Sequence, residues 1–306
     1  MKKLISALLA SALALSLAAC GATGSSSQAA ESETSSAAST ASAESADLTG
    51  DGYDPTVDYA SLAGTTIKVA ASPVPHAEIL KVAADILAKA DITLDIIEYT
   101  DYVLPNMVTE SGEVDANYFQ HGPYLESFNE ENGTHLVSVA AVHYEPLGIY
   151  PGKSTSLDDI PDGAKIAVPN DTTNEARALQ LLAAQGILTI REDAGLTATK
   201  NDVVDNPHNI DIIEMEAAQL PRTLADLDYA VINGNYAAEA GFSASEDALA
   251  TEDADSEAAQ TYANVLVVKE GNEEKPAIKA LAAALTSQAV KDYIDETYNG
   301  AVVAIF

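Results

Sequence analysis

The stretch KIAVPNDTTNEARALQLLAAQG, residues 165–186, decides the fold class of this chain. It begins with a short apolar run that predicts a buried strand, and it continues as an alanine- and leucine-rich helix that ends at Gly186. Thr172 and Glu175 have the spacing of a capping box, which satisfies free N–H groups at the start of a helix. The stretch therefore predicts a strand–turn–helix unit, the building block of α/β proteins.

The alternation of strand and helix extends in both directions from this unit. Helices are predicted at 73–90 and at 276–297 from apolar residues at helical spacing. Further strands are predicted at 66–72, 92–99, 114–119, 136–142, 147–151, 211–216, 228–233 and 264–269. Such alternation favours parallel sheets covered by helices, with ligands at the carboxyl ends of the strands. Because roughly 240 residues exceed one typical domain, we expect two α/β lobes.

Polar side chains follow two of the predicted strands. Asn174 and Arg177 lie three residues apart near the start of the predicted helix, so they share a face. An arginine there can bind a carboxylate through two parallel hydrogen bonds, whereas the alternative is a helix cap with a solvated arginine. Asn233 and Asn235 in YAVINGNY can bind an ammonium or a carboxylate group, although Asn-Gly is also a common turn dipeptide. From the residues alone, carboxylate binding and a helix cap with a solvated arginine are equally supported for Asn174 and Arg177. For Asn233 and Asn235 a turn is favoured over ligand binding.

The segment NYFQHGPYLESF, residues 117–128, concentrates aromatic and imidazole groups in a chain with no tryptophan, four phenylalanines and five histidines. Phe119, His121 and Tyr124 flank a predicted strand-to-helix turn at Gly122 and Pro123. Together they can form an apolar pocket with one polar edge, to which a sulfur atom would add about 0.3–1.5 kcal/mol per ring contact. Core packing with a hydrogen-bonded histidine is the alternative, and composition and spacing alone favour it slightly.

The N-terminus has the pattern of a secretory signal. Residues 1–19 combine two lysines with an apolar run and small residues, and the run is too short for a membrane-spanning helix. Cys20 is the only cysteine, which excludes an intramolecular disulfide and a multi-cysteine metal site. Residues 21–48 are rich in Ser, Ala and Glu and predict a disordered tether. A plain N-terminal membrane anchor is the alternative interpretation.

Charge and missing motifs exclude several classes of function. The formal net charge of −32 repels nucleic acid, so a polyanionic partner is not expected. The chain contains no nucleophile elbow, P-loop or zinc-protease motif, and a hydrolase has no positive support. His121, His135 and His143 include no closely spaced pair, which argues against a metal site. The acidic stretch 47–58 only faintly matches a calcium loop and is better read as an acidic turn.

Several of these stretches, in one order along the chain, resemble the NlpA/MetQ-type methionine-binding lipoproteins of methionine ABC importers. The matching stretches are ASPVPHAEIL (71–80), YTDYVLPN (99–106), DANYFQHGPYLESFN (115–129), GIYPGKSTSLDDIPDGAKIAVPNDTTNEARALQLL (148–182), AAQLPRTL (217–224), AVINGNYA (230–237) and YANVLVVKEG (262–271). LAAC at 17–20 resembles the lipobox of such proteins, whose cysteine carries the lipid.

The resemblance implies a two-lobed, type II periplasmic-binding-protein fold that closes on its ligand. It places the first lobe at 65–145 and 262–306 and the second at 146–261, behind a signal peptide (1–19) and a lipidated, tethered segment (20–64). The chain would cross between the lobes near Tyr144–Gly148 and near Glu257–Ala263.

The resemblance also implies the ligand and its contacts. Tyr102, Phe119, His121 and Tyr124 correspond to the pocket for the thioether. Asn174, Arg177 and Asn235 correspond to the residues that hold the amino-acid backbone, and Asn233 is their neighbour. The implied function is capture of L-methionine for an ABC importer by an extracytoplasmic protein anchored to the membrane through lipid, without cofactor, metal or catalysis. D-methionine, a methionine-containing dipeptide, a peptidase or amidase, a metal-binding importer subunit and an adhesion lipoprotein are the alternatives.

Overall fold

The computed structural model describes residues 48–253 and 260–306. The predicted signal peptide, Cys20 and most of the predicted tether lie outside these residues. Within the described part of the chain, none of the helices has the length and apolar character needed to cross a bilayer.

Strands of the described chain form two large sheets and one small one. The strands are β1 (Thr66–Ala71), β2 (Thr93–Glu98), β3 (Ala116–His121), β4 (Leu136–Tyr144), β5 (Gly148–Pro151), β6 (Lys165–Pro169), β7 (Thr189–Ile190), β8 (Val203–Asp205), β9 (Asp211–Met215), β10 (Tyr229–Ile232), β11 (Ala250–Thr251), β12 (Asn264–Lys269) and β13 (Val303–Ala304). The six-stranded sheet has the order β13-β4-β12-β3-β1-β2, and the five-stranded sheet has the order β11-β5-β10-β6-β9. Strands β7 and β8 pair separately.

Helices cover both large sheets. They are α1 (Glu78–Ala88), α2 (Leu104–Ser111), α3 (Gly122–Asn132), α4 (Thr172–Ala184), α5 (Leu220–Thr223), α6 (Gly234–Glu239), α7 (Pro276–Leu285) and α8 (Gln288–Tyr298). One apolar core packs on the six-stranded sheet. Alternate residues of β6 and β10 enter two separate cores, so both faces of the five-stranded sheet are buried. The predicted two-lobed α/β class is confirmed.

The large sheets are mixed, whereas the sequence predicted parallel-rich sheets. Strand β1 is parallel to β2 and β3, and β6 is parallel to β9 and β10. Strand β12, however, runs antiparallel to both β3 and β4, and β5 runs antiparallel to β10 and β11. The chain enters both β5 and β12 from the other large sheet. Such a strand can pair in either direction, because no helical crossover within its own sheet is needed to reach it.

Two helix boundaries differ from those predicted. Strand β1 is followed by an irregular turn with Val74 in extended conformation, and α1 begins only at Glu78, because Pro75 disfavours helical geometry in the preceding residue. The predicted C-terminal helix is interrupted between α7 and α8, where the Ser287 hydroxyl accepts from the Val290 N–H at 3.3 Å and starts a new helix.

The predicted capping box of α4 is wrong. Asp171 is the N-cap, and its carboxylate accepts from the Asn174 N–H at 3.1 Å. Glu175 instead accepts from the Lys200 N–H at 2.9 Å, so it does not reach back to the start of its own helix. Aspartate is at least as favourable as threonine at an N-cap. With Asp171 in that position, α4 begins at Thr172, one residue earlier than a Thr172 cap would allow.

Residues 48–64, which the sequence assigned to the tether, pack on the core of the six-stranded sheet. Tyr59 and Leu62 are buried there, and the Tyr53 hydroxyl donates to the Ile86 carbonyl oxygen at 3.2 Å. The Asp51 carboxylate accepts from the Gln288 N–H at 2.8 Å, at the first residue of α8. The acidic turn is thus part of the folded domain. The rings of Tyr53 and Tyr59 pack this mostly polar stretch against the core.

Candidate ligand-binding site

A cavity lies where β3, β6 and β10 end. Each of these strands leads directly into a helix, α3, α4 and α6 respectively, so their polar strand-to-helix turns meet at one place. The cavity is lined by Tyr102, Phe119, Gln120, His121, Tyr124, Glu145, Asn174, Arg177, Asn233, Gly234, Asn235 and Asn264.

All eight side chains that the resemblance implied as ligand contacts line this cavity, and their binding role stays a prediction. Sequence reasoning missed Gln120, Glu145, Gly234 and Asn264. Gln120 and Gly234 could have been found from the sequence, because each is next to predicted site residues along the chain. Glu145 directly follows β4 and Asn264 is the first residue of β12, and neither is next in sequence to a predicted site residue.

The aromatic residues form one wall. The Tyr102 ring centroid lies 5.8 Å from that of Phe119 and 5.6 Å from that of Tyr124, and the Tyr124 hydroxyl donates to the Tyr102 carbonyl oxygen at 3.0 Å. The ring of Tyr236, which is not among the lining residues, packs against Tyr102 with the centroids 4.8 Å apart. Phe119 and Tyr124 are buried together with Phe128, so the cluster serves both as core packing and as cavity wall.

His121 joins this wall to the polar side of the cavity. Its Nδ1 accepts from the Tyr124 N–H at 3.1 Å, which leaves Nε2–H to donate to Asn174 Oδ1 at 3.1 Å. Burial lowers the pKa of His121 to about 3, and the nearby Arg177 acts in the same direction. The imidazole is therefore neutral at physiological pH, with the proton on Nε2.

Three asparagines form the polar side, and two of their buried atoms are unsatisfied. Asn174 Oδ1 accepts from Asn233 Nδ2 at 2.8 Å, and Asn235 Oδ1 accepts from the Tyr102 hydroxyl at 2.5 Å. Asn233 Oδ1 and Asn235 Nδ2 are buried and have no hydrogen-bond partner in the described structure. Such atoms are rare in native proteins because each costs about 1–3 kcal/mol. Asn233 and Asn235 thus present one free acceptor and one free donor among the lining residues.

Arg177 is buried but not free. Its Nε and Nη2 donate to the Glu252 carboxylate at 2.8 and 2.6 Å, and Nη2 also donates to the Glu145 carbonyl oxygen at 2.8 Å. The guanidinium lies over the Tyr262 ring at 4.3 Å. Burial raises the pKa of Glu252, but Arg177 outweighs it and the net pKa is lowered. The solvated arginine considered from the sequence is therefore wrong, because the guanidinium is buried in a fork with Glu252.

A second buried network lies beside the cavity. His143 Nε2 donates to Glu145 Oε1 at 2.7 Å, and the Tyr118 hydroxyl donates to His143 Nδ1. His76 Nε2 lies 3.4 Å from the same Glu145 oxygen and 2.9 Å from Asn264 Oδ1. Burial lowers the pKa of His76 to about 4 and of His143 to about 3, so both rings are neutral.

This network is also the place in the described chain where a metal ion could be held. The ligand atoms of His76, His143 and Glu145 lie within 4.8 Å of one another, whereas the described positions of His121 and His135 do not contribute to such a group. His143 Nε2 and Glu145 Oε1 are hydrogen-bonded to each other at 2.7 Å, and a metal ion that bound both atoms would have to break this bond. The geometry therefore favours a hydrogen-bonded network over a coordination site.

Residues 67–306 match the NlpA lipoprotein family. The crystal structure of a lipoprotein from Ruminococcus gnavus is 60% identical, covers 79% of this chain and 99% of its own, and has a TM-score of 0.78. A nutrient-binding protein from Burkholderia cenocepacia, solved bound to methionine, is 41% identical with a TM-score of 0.75 over 78% of this chain and 100% of its own. The D-methionine-binding lipoprotein MetQ of Escherichia coli is 39% identical over 73% of this chain and 80% of its own. The chain belongs to the NlpA lipoprotein family.

Proposed function

We propose that this protein is an extracytoplasmic, lipid-anchored binding protein that captures L-methionine and delivers it to an ABC importer. The observation that carries the proposal is the pair of unsatisfied buried atoms, Asn233 Oδ1 and Asn235 Nδ2, in a cavity with an aromatic wall. An α-amino acid supplies the two missing partners, since its ammonium group donates and its carboxylate accepts. Membership of the NlpA family and the methionine bound by the Burkholderia relative support the same ligand.

The polar end of methionine lies against the asparagines and Arg177 in this proposal. Its carboxylate accepts from Asn235 Nδ2 and from the Nη1 side of Arg177, because Nε and Nη2 are already engaged with Glu252. Asn174 need not contact the carboxylate itself. Its Oδ1 accepts from Asn233 and from His121 and so positions these two side chains.

The thioether lies against the aromatic wall. Tyr102, Phe119 and Tyr124 present their faces and edges within one cluster, and sulfur gains about 0.3–1.5 kcal/mol from each such ring. The neutral His121 closes the wall without adding a charge that the apolar side chain would have to desolvate.

Binding closes two lobes in this proposal, one of residues 65–145 and 262–306 and the other of residues 146–261. The aromatic wall comes from the part of the chain that forms the six-stranded sheet, and the asparagines and Arg177 follow strands of the five-stranded sheet. A ligand that contacts both parts stabilises the closed state through its higher affinity for that state. The importer then recognises the closed form.

Anchoring and the absence of catalysis complete the proposal. Cys20 carries the lipid after removal of residues 1–19, and the tether connects it to the folded domain on the outer face of the membrane. Nucleic acid, a metal and a cofactor have no role. The described residues that line the cavity include no serine, threonine or cysteine, which argues against a peptidase or amidase that acts through a covalent intermediate on one of these side chains.

Calorimetric titration of L-methionine into the wild type and an Asn235→Asp variant tests the proposal. The variant replaces the free donor by an anionic oxygen, so we expect affinity to fall by about 100-fold or more. Asn201→Asp, an exposed change of the same chemistry, is the control and should bind as the wild type does. Absence of methionine binding in the wild type, or equal binding by both variants, would contradict the proposal. Titration with D-methionine and a methionine-containing dipeptide distinguishes the alternative ligands.

A further inference from the structure

Glu145 has a position that the proposed contacts do not explain. It is the only carboxylate among the described residues that line the cavity, and Arg177 is the only guanidinium or ammonium group. Only 6% of Glu145 is exposed. A carboxylate is rarely buried to this extent unless it is paired with a positive group.

The neighbours of Glu145 hydrogen-bond to it without neutralising it. The chain of hydrogen bonds from the Tyr118 hydroxyl through His143 ends on Glu145 Oε1, and the ring of His143 is neutral. His76 is also neutral and lies 3.4 Å away. These contacts fix the orientation of the carboxylate but provide no counter-charge.

Arg177 does not provide the counter-charge either. Its fork is engaged by Glu252, and it contacts Glu145 only at the backbone carbonyl oxygen, at 2.8 Å. The Glu145 carboxylate therefore has no guanidinium hydrogen-bonded to it in the described part of the chain. Burial raises the pKa of Glu145, with His76 and Arg177 acting in the opposite direction, and a cation beside the carboxylate would favour its ionised form.

The backbone next to Asn233 is shaped around the Glu145 side chain. A Cβ atom placed on Gly234 would lie 2.8 Å from both Cβ and Oε2 of Glu145, so only glycine permits this approach. Asn233, the residue before this glycine, carries the unsatisfied buried Oδ1. Glu145 and Asn233 both line the cavity, and the residue that follows Asn233 approaches the Glu145 side chain closely.

We propose that Glu145 binds the ammonium group of the ligand together with Asn233 Oδ1, and so restricts the protein to ligands with a free amino group. The inference rests on the proposed function and adds the residue that selects for the amino end of the substrate. Ammonium is the matching chemistry because it offers up to three donors and the missing positive charge. The network of Tyr118, His143 and His76 is then a positioning device for Glu145.

The test compares L-methionine with its desamino analogue, which keeps the thioether and the carboxylate but has no ammonium group. Wild type should bind methionine about 10- to 100-fold more tightly than the analogue, since hydrogen bonds to charged groups are the stronger class. Glu145→Gln should lose most of this preference and keep its affinity for the analogue. Glu126→Gln, an exposed change on α3 that removes the same charge, should behave as wild type.

Each result decides a separate question. Wild type that binds the analogue as tightly as methionine overturns the inference but leaves the proposed function intact, and this comparison does not depend on the folding of any variant. Loss of both ligands to the same extent in Glu145→Gln also overturns it, because Glu145 would then be structural. Stoichiometric zinc in natively purified wild type that Glu145→Gln lacks would assign the carboxylate to a metal instead. Wild type that binds neither ligand contradicts the proposed function.

Discussion

Replacing Arg177 with alanine should destabilise the fold as well as weaken ligand binding. In the structure only 4% of the Arg177 side chain and 10% of the Glu252 side chain are exposed. Glu252 also accepts from the Leu147 N–H at 2.9 Å and from the Tyr144 hydroxyl at 2.7 Å, so it cannot easily turn to solvent.

The magnitude follows from leaving that carboxylate buried without its partner. Breaking a buried ion pair by removing one member costs about 3–5 kcal/mol, which is a large fraction of the roughly 5–15 kcal/mol by which a typical protein is stable. Replacing both members with leucine should recover most of this loss, since apolar pairs of similar volume are often neutral or stabilising. Methionine affinity should be low in both variants, because both lack the guanidinium.

Urea denaturation followed by far-ultraviolet circular dichroism measures the free energy of unfolding. The chain has no tryptophan, so dichroism is a better signal than fluorescence. Arg191→Ala is the control, because 53% of that side chain is exposed and its 2.6 Å contact with Asp202 should contribute less than about 1 kcal/mol. If Arg177→Ala lost no more stability than Arg191→Ala, the reasoning about the buried pair would be refuted.

Two further predictions concern acid stability and the aromatic wall. His76, His121 and His143 are held neutral, with pKa values of about 4, 3 and 3, so unfolding takes up a proton at each below the unfolded value near 6.5. The free energy of unfolding should be highest above pH 6.5 and should fall by about 1.4 kcal/mol per pH unit for each ring as the pH drops toward the folded pKa values. Urea titrations at pH 7, 6 and 5 measure this, and the same free energy of unfolding at all three would contradict the prediction. Phe119→Leu should lower methionine affinity by about 2- to 10-fold through loss of the sulfur–ring contact, and unchanged affinity in calorimetry would exclude Phe119 from the thioether pocket.

Features that depend on neighbouring residues were predictable from the sequence. The strand–turn–helix units around Asn174 and Asn233 follow from local apolar spacing, and the carboxyl ends of parallel strands bring such turns together. The resemblance to a known family then assembled residues from four separated stretches into one site. All eight of them line the same cavity.

Features that depend on distant partners were not predictable. Glu252 lies 75 residues from Arg177 along the chain, and nothing distinguishes it locally among the 47 acidic residues. Glu145 becomes notable only because it is buried between two neutral histidines that come from different strands and turns. The antiparallel direction of β12 was hidden for the same reason, since it depends on how the chain returns to the first sheet.

The most direct test of the central claim is to identify the small molecule that copurifies with the protein under native conditions. Mass spectrometry of the denatured, lipid-free extract should find methionine at close to one molecule per chain, because a cavity with unsatisfied buried atoms at its polar end holds its ligand tightly. Protein stripped by unfolding and refolding should regain methionine when it is added. An occupant without a thioether and a free amino group, or a stripped protein that takes up no methionine, would contradict the account.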